Sequence, residues 1–124
     1  MHVLLVDDEE ELVSTLAERL AMRGITTSWV TDYQSALDIV EREPFDIALL
    51  DVRLPEMNGL DLKRLLAAKC PAMKFIFLTG HGSEEDFNAC SAESGKEFYL
   101  IKPVQIEVLM AKLNEIFHQQ GALL

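Results

Sequence analysis

Three carboxylates, a hydroxyl and an ammonium stand at equivalent places along this 124-residue chain. Asp7 and Asp8 follow the apolar run His2–Val6, Asp51 follows Ile47–Leu50, Thr79 follows Phe75–Leu78, and Lys102, with Pro103 behind it, follows Phe98–Ile101. Singly, each has an ordinary explanation. Acids ahead of a helix cap it and favour its dipole, an aspartate after a strand forms a turn, a threonine caps, and a lysine is by default a solvated surface charge. Separate explanations do not account for the shared position at run ends. Brought together, the carboxylates would repel one another and take up protons or a cation. A hard, oxygen-ligated ion such as Mg2+ suits them, because it keeps waters and leaves places for phosphate oxygens.

Whether these residues meet depends on the elements that carry them. The four apolar runs are short and nearly uninterrupted, as in strands buried on both faces. Ile25–Val30 interposes Thr26, Thr27 and Ser28 before Trp29 and reads as a more exposed strand nearer an edge. Between the strands lie helical spacings: Leu12, Leu16 and Leu20 with Val13 and Ala17; Ala36, Leu37 and Val40; Leu62, Leu65 and Leu66; and finally Ile106, Leu109, Leu113, Ile116 and Phe117. Gly24 stops the first helix and Gly121 the last, while Pro44 and Pro71 punctuate the connections after the second and third. Strict strand-helix alternation predicts an α/β fold, a doubly wound parallel five-stranded sheet with helices on both faces. Ligands of such sheets bind beyond the C-terminal strand ends, where Asp7, Asp8, Asp51, Thr79 and Lys102 fall.

Composition narrows the function. The length suits one domain with a real core, and 49% hydrophobic with 26% charged residues is a globular balance. Eleven Lys+Arg against 21 Asp+Glu give a formal charge of -10, which disfavours nucleic acid and membrane surfaces as partners. Cys70 and Cys90 lie in no metal-ligand spacing, no apolar run approaches a membrane span, and the start of the chain is unlike a signal peptide. A cytoplasmic location is expected.

The sequence resembles receiver domains of bacterial two-component response regulators across essentially its whole length. The resemblance is carried by Val6-Asp7-Asp8-Glu9, by Leu50-Asp51-Val52-Arg53-Leu54-Pro55-Glu56-Met57-Asn58-Gly59, by Leu78-Thr79-Gly80-His81-Gly82, and by Tyr99-Leu100-Ile101-Lys102-Pro103. It implies a flavodoxin-like (βα)5 domain over residues 1–120 with strand order 2-1-3-4-5, followed by a short tail at 121–124. It implies that Asp51 is the phosphoacceptor, attacking a phosphohistidine on a sensor histidine kinase or phosphotransfer protein and becoming an acyl phosphate. Asp8 would ligate Mg2+ directly and Asp7 mostly through water, with Asp51 and the backbone carbonyl of Arg53 completing the set. Lys102 and Thr79 would each bind a phosphoryl oxygen, and Tyr99 would be the switch aromatic that swings inward as Thr79 moves. The Lys102-Pro103 bond is expected to be cis.

Pro55 fixes one backbone angle of the loop after Asp51, and Gly59 is expected to supply a positive φ before a helix starting near Leu60. Arg53 and His81 would flank the phosphoryl group and tune water access. The resemblance further implies a switch acting through the surface of the fourth helix, fifth strand and fifth helix on a downstream output protein or domain, with a phosphorylation-dependent homodimer as a further partner. Such a protein catalyses its own phosphoryl transfer and dephosphorylation and is no conventional enzyme.

Three features depart from the family pattern. Ser83–Gly95, where the fourth helix belongs, has a poor apolar stripe; Thr79 to Lys102 is one residue longer than expected; and Val104 stands where an aromatic is common. With only Gly121–Leu124 after the last helix, the chain is expected to act either as a stand-alone receiver docking to a partner or as the receiver part of a longer regulator. The competing readings are a receiver-like interaction module that accepts no phosphate and an Mg2+-dependent phosphohydrolase with an aspartyl-phosphate intermediate. The phosphohydrolases carry Asp-x-Asp on one early strand, whereas Asp7 and Asp8 are adjacent. A flavin carrier shares the sheet order, but the acids from Asp7 to Glu11 would repel its phosphate.

Overall fold

The computed structural model describes residues 1–80 and 99–121, with side chains through Phe117. The strands β1 (His2–Val6), β2 (Thr26–Val30), β3 (Ile47–Asp51), β4 (Lys74–Thr79) and β5 (Tyr99–Ile101) form one sheet in the order β2-β1-β3-β4-β5. Every pairing is parallel. The helices are α1 (Glu10–Ala21), α2 (Tyr33–Arg42), α3 (Gly59–Lys69) and α4 (Ile106–Gly121). The helix expected over Ser83–Gly95, together with His81, Cys90 and Phe98, lies outside the described residues. Among the described residues, no helix is long and apolar enough to cross a membrane.

Strand side chains alternate between faces, and the core divides accordingly. Val3, Leu5, Ile47, Leu49, Ile76 and Leu78 pack with α1 and α4, whose Val13, Leu16, Leu20, Ile106, Leu109 and Leu113 are buried there. Leu4, Val6, Ala48, Leu50, Phe75 and Phe77 pack with α2 and α3 through Ala36, Val40, Leu62 and Leu66. Crossovers of one hand require this division, because β1 to β2 moves one way along the sheet and β2 to β3 to β4 moves the other. Burial on both faces explains the uninterrupted apolar runs, each fully buried Leu or Phe contributing on the order of 1.5–3 kcal/mol. β2 is an edge strand of partly exposed residues, as its sequence predicts; Ile25 is buried just ahead of it. Leu65, expected in the stripe of α3, is instead 43% exposed, because the helix's inner face is made by Gly59, Leu62 and Leu66, with Leu60 and Ala67 at its margins.

Helix ends follow local chemistry. Gly24 takes φ +80 after α1, and its N–H and that of Ile25 donate to the carbonyls of Ala21 and Leu20 at 3.0 and 3.1 Å. Asp32 Oδ1 accepts the Ser35 N–H at 2.7 Å to cap α2, and Asn58 Oδ1 accepts the Asp61 N–H at 2.8 Å to cap α3. Pro44 and Pro71 directly follow the C-cap residues Glu43 and Cys70. Glu41 on α2 pairs with Lys69 on α3, and that ammonium holds the Glu41 carboxyl below its ordinary pKa.

Candidate functional site

Sheet register brings the selected residues to one edge. Val6 lies opposite Leu50, Asp51 opposite Leu78 and Thr79 opposite Ile101, so Asp7, Asp51, Thr79 and Lys102 emerge at successive C-terminal strand ends. Asp7, Asp51 and Thr79 are the buried polar side chains among the described residues, at 0%, 6% and 3% exposure. Asp8 is exposed at the rim.

Each buried aspartate divides its two oxygens between a local turn and the lysine. Asp7 Oδ1 accepts the Glu9 N–H at 2.9 Å, and Asp51 Oδ1 accepts the Arg53 N–H at 3.1 Å. The Lys102 ammonium stands 2.7 Å from Asp7 Oδ2 and 3.0 Å from Asp51 Oδ2, with Glu9 Oε1 at 3.1 Å. The Lys102 side chain is only 14% exposed. Burial works against its charge, but the contacts with Asp7, Asp51 and Glu9 outweigh that effect and raise its pKa above the ordinary lysine value. Burial also raises the pKa of Asp7; Lys102 and the Glu9 amide pull it back, while the neighbouring Asp51 pushes it further up. The lysine is therefore a fixed cation among carboxylates that still outnumber it.

The excess of negative charge suits a cation. Asp7, Asp8 and Asp51 each offer an oxygen, and the three oxygens lie within 4.8 Å of one another. Asp7 Oδ2 is buried and, apart from its ion contact with Lys102, receives no hydrogen bond, which leaves lone pairs available. A donor set of carboxylate oxygens alone fits a hard divalent ion.

The walls of the site are backbone. Val52 N–H donates to the Leu78 carbonyl at 3.0 Å, and Gly59 N–H donates to the Val52 carbonyl at 2.8 Å, tying the loop after Asp51 to β4 and to the start of α3. Arg53 and Asn58 close that loop in an antiparallel bridge across Pro55. The positive φ expected at Gly59 is absent there and falls on Glu56, at φ 67. Gly59 is required for a different reason: a Cβ would collide with the Asp51 carbonyl oxygen and lie 3.0 Å from Val52 Cα. The Lys102-Pro103 bond is cis, as expected, and the Lys102 N–H donates to the Thr79 carbonyl at 2.8 Å. Tyr99 opens β5 and packs, half-buried, against the α2–α3 layer.

Asp7 and Asp8 are not helix caps, because the N-cap residue of α1 is Glu9. Sequence reasoning gave Glu9 no part in the site beyond its motif. The available signal was a third carboxylate directly after an aspartate pair. Its contact with Lys102 spans 93 residues, which sequence spacing does not reveal.

A sheet of this order with an aspartate cluster and a lysine at its C-terminal edge defines the receiver class of signalling domain. Residues 3–114 match the model of the response regulator receiver domain, and the chain belongs to that family. It is 37% identical over 94% of its length to the transcriptional regulatory protein CpxR of Escherichia coli K12, covering 49% of that protein. It is 34% identical over 98% of its length to the two-component response regulator PhoP of Pseudomonas aeruginosa, covering 53% of it. The chain thus spans about half the length of the curated relatives it matches. A CheY-like receiver domain from Methanospirillum hungatei superposes with TM-score 0.86 at 30% identity, covering 98% of this chain and 96% of that one. A response regulator from Burkholderia pseudomallei, solved with a phosphorylated aspartic acid and a calcium ion, gives TM-score 0.80 at 28% identity over 98% of this chain and 72% of its own. The family is that of the receiver domains of response regulators, and its relatives include a two-component response regulator.

Proposed function

We propose that Asp51 accepts a phosphoryl group from a phosphohistidine of a sensor histidine kinase or phosphotransfer protein and that the resulting acyl phosphate switches the domain. The observation that carries the reading is the position of Asp51 at the end of β3, nearly buried, with Oδ2 at 3.0 Å from the Lys102 ammonium and with Asp7 and Asp8 beside it. The phosphorylated aspartic acid and the divalent ion of the Burkholderia relative support the same chemistry. An Asp51 oxygen attacks phosphorus, the O–P bond forms as the P–N bond to the imidazole breaks, and the imidazole leaves with the electron pair and takes a proton.

Asp7, Asp8 and Asp51, with the backbone carbonyl of Arg53, would hold Mg2+, which when bound neutralises charge on the phosphoryl oxygens. The Arg53 N–H fixes one oxygen of Asp51, so the other, which faces Lys102, would be the one that attacks the donor. Lys102 pairs with one phosphoryl oxygen, and the Thr79 hydroxyl donates to another. Pro55, Gly59 and Pro103 shape the walls, while Arg53 and His81 tune water access to the phosphoryl group. Movement of Thr79 draws Tyr99 inward from its half-buried position and alters the surface of β5 and α4, where Ile101 and Val108 are 56% and 47% exposed. That surface would act in the cytoplasm on an output protein or attached domain. Converting a population from 1:99 to 99:1 requires the phosphoryl group to favour the active state by about 5.5 kcal/mol.

The test is labelling with a small phosphodonor in Mg2+. Wild type should acquire hydroxylamine-sensitive phosphate, and Asp51→Asn should acquire none while keeping its far-ultraviolet circular dichroism. Equal labelling of the variant would refute the assignment.

A further inference from the structure

Lys102 has three carboxylate neighbours, and the phosphoacceptor reading, on which this inference rests, accounts for only two of them. Under that reading Asp51 becomes an acyl phosphate and Asp7 would offer its lone pairs to a bound cation, so neither would continue to compete for the ammonium. Glu9 would.

Two features mark Glu9 as more than the first residue of a helix. It occupies the N-cap position of α1 with φ -84 and ψ 91, yet its side chain makes no cap hydrogen bond, unlike those of Asp32 and Asn58. Its Oε1 instead accepts a hydrogen bond from Lys102 Nζ at 3.1 Å. The Glu9 side chain is also 59% exposed, against 0% for Asp7 and 8% for Asp51, so it can leave the ammonium for water without a large desolvation change. It has room to do so: Glu9, Glu11, Leu12, Arg19, Pro103 and Val104 border an open groove of about 410 Å³, whose wall carries the Arg19 cation as well as the Glu11 carboxylate.

We propose that Glu9 is a positioning residue that competes with the phosphoryl group for the Lys102 ammonium, so that full engagement of the phosphoryl group by Lys102 requires release of Glu9. The carboxylate and the phosphoryl group are rival anions for one ammonium. Neutralising Glu9 therefore strengthens binding of a phosphoryl group or its mimic. An exposed ion pair is worth at most about 1 kcal/mol, which corresponds to a two- to five-fold change in affinity.

The experiment titrates beryllofluoride, a phosphoryl mimic, in saturating Mg2+, following the amide resonances of Thr79 and Lys102 by NMR. Glu9→Gln keeps the shape of the side chain and removes its charge. Glu10→Gln removes the same charge one residue further on, from a side chain with no ion pair to Lys102 among the described residues. Glu9→Gln should bind beryllofluoride about two- to five-fold more tightly than wild type, with Glu10→Gln at the wild-type value. A gain of equal size in Glu10→Gln, an equal change in Mg2+ affinity, or no gain in Glu9→Gln overturns the inference while leaving the phosphoacceptor reading intact. Wild-type protein that binds Mg2+ but no beryllofluoride overturns both.

Discussion

Glu56 carries the one positive φ of a non-glycine residue among those described, at 67. The left-handed region brings Cβ against the following carbonyl oxygen, at about 1–2 kcal/mol for an L-residue. It is adopted because the Arg53–Asn58 bridge closes a tight loop between the Asp51 carboxylate and the cap of α3. Glycine would remove the strain but lose about 0.5–1 kcal/mol through its freer unfolded chain. Glu56→Gly should thus raise stability by up to about 1.5 kcal/mol in urea unfolding, whereas Glu56→Val should lower it by at least about 1 kcal/mol. A glycine variant less stable than wild type would contradict the strain account. Proline and glycine in the motif announce a turn here, but which residue takes the left-handed conformation depends on how the loop is anchored at both ends.

At the scale of elements, the site depends on how closely α3 approaches the end of β3. Gly59 opens the helix against the Asp51 carbonyl, and its N–H reaches the Val52 carbonyl at 2.8 Å. Gly59→Ala forces backbone apart rather than a flexible side chain, so a loss of about 1–3 kcal/mol is expected, together with slower phosphate labelling of Asp51. Asn58→Ala removes only the cap and should cost about 1 kcal/mol with labelling kept near wild type. Thermal unfolding and labelling of the two variants side by side check this, and equal labelling loss in both would show that helix stability, rather than the close approach, governs the site. Strand and helix positions were legible because a strand buried on both faces is almost wholly apolar and a helix on one face has a stripe. Leu65 was misplaced because three leucines at helical spacing do not indicate how wide a face the neighbouring helix leaves open.

For the whole molecule, the sheet gathers acids that repel one another at one edge of a chain of net charge -10. Folding therefore stores electrostatic strain that a bound cation relieves, and Mg2+ should stabilise the native state. At ten times its dissociation constant the gain is about 1.4 kcal/mol, on the order of 5 °C in unfolding midpoint. Sodium chloride of matched ionic strength should give less, because it only screens. Asp51→Asn should lose most of the Mg2+-specific increment. Thermal melts in the two salts test this, and an equal rise in both would reduce the cluster to simple charge repulsion.

Among the described residues, the amino-acid sequence by itself determined which segments are strands and helices, that the strands run parallel, and that Asp7, Asp8, Asp51, Thr79 and Lys102 stand at their ends. Those features depend on local periodicity and on the short reach of neighbouring residues, which the linear order preserves. Tertiary structure alone decided which carboxylate oxygens face Lys102, that Asp7 Oδ2 is buried without a hydrogen bond, that Gly59 serves close approach rather than a positive φ, and that Glu9 turns from its helix to the lysine. These depend on strand register and on distances between residues far apart in the chain, and a shift of an ångström, which no sequence pattern encodes, separates an ion pair from a solvated charge.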